Sequence, residues 1–124
     1  MARITPRFIL LVPLLAAGIV LSSCGGSGAV ADARTSCRSV KVALELEKQS
    51  EQSGLTSSLK SRLQARAMSD LLKATQPAAN ATSLDGSWNP LMTTINEAER
   101  VPLSNLIPAL TRLCRVADST SPYL

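Results

Sequence analysis

Cys37 and Cys114 lie near the two ends of the C-terminal part of this 124-residue chain. Each sits on the apolar face of a segment with helical period. Cys37, Val40 and Leu44 fall at i, i+3 and i+7, with Ala43 and Leu46 widening the stripe. Leu106, Leu110, Leu113, Cys114 and Ala117 recur at i, i+4, i+7, i+8 and i+11. A disulfide requires Cα atoms about 4.4–6.8 Å apart. In an up-down bundle an even number of helices returns the chain to the pole where it started, and an odd number leaves its ends at opposite poles. A bridge between the start of a first helix and the end of a last one therefore demands an even helix count.

The punctuation of the chain supplies four. Asp32 to about Ser53 has helical composition, with Gly54 as a C′ stop and Leu55 as the apolar residue that often follows. Ser57 is a plausible N-cap for a second helix to about Thr75, with Leu59, Leu63, Ala67 and Leu71 on one face and Met68 and Leu72 thickening it. Lys60, Arg62 and Arg66 lie mostly elsewhere on the wheel, and Pro77 ends the helix. Residues 77–89 read as a loop with Asp85-Gly86 as its turn. Asn89-Pro90 opens a short third helix carrying Leu91, Met92, Ile95 and Ala98, which ends near Arg100 before Pro102. The fourth starts at Ser104 or Asn105, with Pro108 in its first turn. No strand alternation occurs. The expected fold is all-α, an antiparallel up-down four-helix bundle over residues 34–118, clipped by one disulfide and followed by a tail at 119–124.

The N-terminus has a different character. Arg3 and Arg7 precede an apolar run from Phe8 to Leu21, interrupted by Pro13. Such a run is shorter than the about 20 residues that cross a hydrocarbon core. It ends in Leu21-Ser22-Ser23-Cys24, followed by Gly25-Gly26. This pattern resembles the signal peptide of bacterial lipoproteins. The resemblance implies cleavage of residues 1–23, a diacylglyceryl group on Cys24 Sγ, and acylation of the new amine. The alternative is an ordinary secretory signal cleaved near Ser23, with Cys24 incidental. Residues 24–33 then form the lipidated cysteine and a flexible tether of small residues. In composition the remainder resembles small helical lipoproteins of actinobacteria, a likeness that implies no particular activity. The expected location is the outer face of the cell membrane, or the outer membrane where a cell has one. Two or more acyl chains make such attachment stable, at about 0.8 kcal/mol per buried methylene.

With Cys24 lipidated, two cysteines remain. An exported domain meets an oxidising compartment, so the pair reads as a Cys37–Cys114 disulfide, the alternative being two free structural thiols. The bridge closes a loop of about 78 residues, contributing roughly 4.5 kcal/mol in the chain-entropy model.

Charge and composition narrow the function. Beyond Cys24 there are eleven Lys and Arg against nine Asp and Glu, too mild an excess for a nucleic-acid partner. The chain has no histidine, and so lacks the commonest general base and transition-metal ligand. It has no nucleophile elbow, phosphate loop or metal spacing, and Glu97 and Glu99, two apart on a helix, do not face each other. No catalytic residue, cofactor or metal is expected. Arg34, Arg38 and Lys41, at what reads as the N-terminal end of the first helix, oppose its dipole. With Arg112 and Arg115 they form a basic pole near the anchor, expected to face anionic head groups. The alternative is an ordinary solvated helix face. Trp88 either plugs the end of the bundle or, if exposed, anchors a partner. Asn80-Ala81-Thr82 matches a glycosylation sequon that has little meaning in a bacterial lipoprotein.

The expected function is that of a lipid-anchored envelope protein acting by binding or structural support. Two alternatives are a carrier of an apolar ligand between helices, marked by a pocket lined with Leu63, Ile95 and Leu110, and an inhibitor docking on an envelope enzyme through Trp88.

Overall fold

The computed structural model describes residues 25–120; the expected signal peptide and Cys24, and the tail residues from Ser121 on, Tyr123 included, lie outside them. All regular structure among the described residues is helical: α1 (Gly25–Ser50), α2 (Ser57–Leu84), α3 (Asn89–Glu97) and α4 (Leu103–Ser119), with a single 3-10 turn at Gly86–Trp88. α1 packs on α2 and α4, α2 on α3, and α3 on α4.

α1 begins earlier than its sequence suggests. Residues 29–33, expected in a flexible tether, belong to the helix, and Ala29, Val30 and Ala33 are core residues. They continue the apolar stripe of Cys37, Val40, Ala43 and Leu44 backwards at three- and four-residue spacing. Alanine is the strongest helix former, and its short side chain lets a neighbouring backbone approach. A small-residue run that looks like a linker thus becomes a contact face. After Ser50 a turn leads through Gly54, whose φ of +87° is a conformation that L side chains rarely adopt.

α2 is capped one residue before the expected position. Thr56 Oγ1 accepts the Leu59 N–H at 3.2 Å. The helix then runs through Pro77 to Leu84 instead of stopping. Proline removes the N–H that the Lys73 carbonyl would accept, a defect usually costing about 3 kcal/mol. Burial outweighs it here. Ala67, Leu71, Ala74, Ala78 and Ala81 make one buried stripe that crosses the proline. Ser36 Oγ, from α1, donates to the Ala74 carbonyl at 2.8 Å in a buried position beside the break. The Asp85 N–H then closes the helix on Ala81 O at 2.8 Å, and Asp85 Oδ1 accepts the Ser87 N–H at 2.9 Å, the turn expected at Asp85-Gly86.

α3 starts at Asn89 with Pro90 in its first turn, as expected, and buries Leu91 and Ile95. α4 starts at Leu103, so Pro108 falls in its second turn rather than its first, where it lies exposed. Leu103, Leu110, Cys114 and Ala117 form the buried stripe of α4. Cys37 and Cys114 are joined by a disulfide with Cα atoms 5.4 Å apart, tying α1 to α4.

Candidate functional site

Of the sequence-expected basic residues, Arg34 and Lys41 bridge α1 to α4, and the others play different parts. Because α1 begins at Gly25, Arg34, Arg38 and Lys41 lie in its interior and do not oppose its N-terminal dipole. Arg34 reaches across to the C-terminus of α4, where its Nε donates to Ala117 O at 2.9 Å and its Nη2 to Thr120 O and, at 3.5 Å, Asp118 O. It thereby places a cation on the carbonyls that the end of α4 leaves unpaired. Lys41 Nζ pairs with Asp118 Oδ2 at 2.5 Å on an exposed surface. Arg38 Nη2 donates to Thr35 Oγ1 at 2.9 Å, while Arg112 and Arg115 are exposed. Of the five cations expected to face a membrane, two are thus engaged with α4. The helical rise of about 1.5 Å per residue sets Arg34, Arg38 and Lys41 roughly 14 to 24 Å along α1 from its first residue, Gly25. That exceeds the screening length of about 8 Å at physiological salt.

Trp88 is 7% exposed and belongs to the core. The exposure that would make it a partner anchor is absent. It is buried because the 3-10 turn following α2 folds it onto the core ahead of Leu91.

Two shallow clefts lie at helix junctions. One, of about 250 Å³, is lined by Lys41, Leu44, Glu45 and Lys48 of α1 with Thr111 and Cys114 of α4. The other, of about 190 Å³, is lined by Glu47, Gln64, Met68, Pro102 and Leu103. Neither is lined by Leu63, Ile95 or Leu110, the residues tied to an apolar-ligand carrier; Ile95 and Leu110 are packed in the core.

Glu47 is the one residue here that sequence reading did not single out. It is a carboxylate only 6% exposed. Burial pushes its pKa above the usual carboxylate value, Glu51 pushes it further, and Gln64 and Lys60 partly offset the shift. Its spacing three residues after Leu44 places it on the core stripe, which was the available signal. Asp85, by contrast, is held below its usual value by accepting from the Ser87 backbone and hydroxyl.

Among the described residues, no three His, Cys, Asp or Glu side chains cluster as a metal site, and no helix is long and apolar enough to cross a membrane. Asn80 of the sequon is exposed on α2 and accepts from Gln76 Nε2 at 3.0 Å. No protein-family model matches the chain, and neither curated proteins nor solved structures yield a match.

Proposed function

We propose that this chain is an exported, lipid-anchored protein of the bacterial cell envelope, whose helical domain acts without catalysis as a binding or structural module. The observation that carries the reading is the Leu21-Ser22-Ser23-Cys24 tetrad behind a short apolar run. The Cys37–Cys114 bridge supports it, because structural disulfides persist in oxidising compartments.

The domain is read as an antiparallel up-down bundle. Contacts between α1 and α2 run in opposite chain order, with Gly28 beside Leu84 and Ser36 bonded to Ala74. For α1 and α4, Arg34 lies with Thr120 and Cys37 with Cys114, while the cleft beyond joins Lys48 to Thr111. In this reading the bundle is a rigid body presented at a membrane surface, and its small-residue core supports shape rather than a ligand cavity.

Intact-mass analysis and fatty-acid labelling of the native protein test the anchor. Wild type is expected to carry lipid on Cys24, and Cys24→Ala to lose labelling and accumulate as an unprocessed precursor. Unchanged fatty-acid incorporation in that variant would overturn the reading.

A further inference from the structure

We infer that Leu84, at the end of α2, is a second point of contact with the lipid surface, set beside the anchor by the absence of a tether. The inference rests on the proposed lipidation of Cys24.

α1 starts at Gly25, the residue that follows Cys24. Ala29 and Val30 are already buried, so the helix is docked on the domain from its second turn. Leu84 Cδ1 lies 3.4 Å from where a Cβ on Gly28 would stand. Gly28 is three residues into α1 from Gly25, about 4.5 Å along the helix axis, and Gly25 is joined to Cys24 by one peptide link, about 3.8 Å between Cα atoms. Leu84 is nevertheless 50% exposed, a leucine with half its surface open beside the first turn of α1. The polar head-group region of a leaflet is only about 5–8 Å deep. Within it, apolar side chains of peripheral segments sink to the acyl boundary.

The charges at this pole offer no attraction to anionic lipid. Asp32 and Asp85 lie near it, both half-buried, while the nearest cation on α1, Arg34, is bonded to the end of α4. The contact is therefore apolar, and it does not require anionic lipid. This differs from attachment through the basic residues, which salt would weaken.

The test uses the full-length lipidated protein in zwitterionic phosphatidylcholine vesicles whose acyl chains carry bromine, a contact quencher. A fluorophore is placed at Leu84→Cys and, as control, at Leu72→Cys. Leu72 is more exposed, at 59%, and lies twelve residues earlier on α2. That separation is about 18 Å along the helix. The label at 84 is expected to be quenched and the label at 72 to keep its emission, both unchanged by high salt. Equal quenching at the two positions, or none at 84, overturns the contact when intact mass shows lipid on Cys24. Protein found without lipid on Cys24 overturns the anchor and the contact together.

Discussion

Ser36 Oγ donates to the Ala74 carbonyl at 2.8 Å, in the buried seam between α1 and α2 and three residues before Pro77. The bond ties the two longest helices together where proline has interrupted the ladder of one of them. Beyond it α2 continues into the segment carrying Ala78 and Ala81, and Leu84 arrives beside the start of α1.

Ser36→Ala removes a buried hydrogen bond between α1 and α2, a change that costs about 0.5–1.5 kcal/mol. Urea unfolding monitored by helical circular dichroism is the measurement. Pro77→Ala restores a backbone donor and is expected to raise stability. That donor goes to the Lys73 carbonyl and not to Ala74, so in a double-mutant cycle the two changes should add. A coupling above about 0.5 kcal/mol would show that the serine compensates for the proline.

Arg34→Ala should destabilise the domain by about 1–2 kcal/mol, the range for a cation on helix C-terminal carbonyls. Hydrogen exchange should locate the loosening at residues 116–120. Arg112→Glu and Arg115→Glu, both at exposed positions, should stay within about 0.5 kcal/mol. Equal costs at all three would mean that Arg34 is an ordinary surface residue. A triple reversal of Arg34, Arg38 and Lys41 to glutamate would likewise weaken the fold through Arg34, independently of any effect on vesicle binding.

Glu47 makes stability depend on pH in a defined direction. Its pKa is raised in the folded state, so between the unfolded value of 4.5 and the folded value the native protein holds more protons than the unfolded one. Stability is then greatest below the unfolded value and falls as pH rises through the folded value. Glu47→Gln removes this decline. Thermal melts in steps from acid to neutral pH should converge for the two proteins at the acid end and separate upward, with the variant the more stable. Parallel curves across the whole range would refute the assignment. Asp85 acts with the opposite sign, its contribution being lost as pH falls, and Asp85→Asn serves as the control.

Reduction of Cys37–Cys114 is expected to cost up to about 4.5 kcal/mol by the chain-entropy relation. For a domain of this size that is a large share of the total, typically about 5–15 kcal/mol. The midpoint of urea unfolding should drop sharply on adding reductant, and Cys37→Ser with Cys114→Ser should reproduce the reduced protein. A midpoint unmoved by reductant would mean that helix packing alone holds α4 on α1.

Much of the architecture was legible from local signals. Helical periodicity identified the all-α class, the two cysteines identified their own pairing, and Asn89-Pro90 marked the start of α3 correctly because a proline in the first turn lacks only a donor that has no helical partner. The lipobox-like tetrad is also a purely local signal, and the anchor at Cys24 is proposed from it alone. What the chain order could not reveal were outcomes decided by a partner helix. Pro77 reads as a stop because local propensity disfavours it, yet a buried stripe of alanines runs across it and α2 continues. The small residues before Asp32 read as a tether because alanine and glycine suit either state, and it is burial against α2 that makes them helix. Arg34 reads as a misplaced charge until α4 ends beside it, and Glu47 as one more surface acid until packing encloses it. Propensity, periodicity and capping act within a few residues and can be read along the chain. Burial and cross-helix hydrogen bonds join residues tens of positions apart, and only the folded arrangement decides which carbonyl, carboxylate or alanine face meets which neighbour.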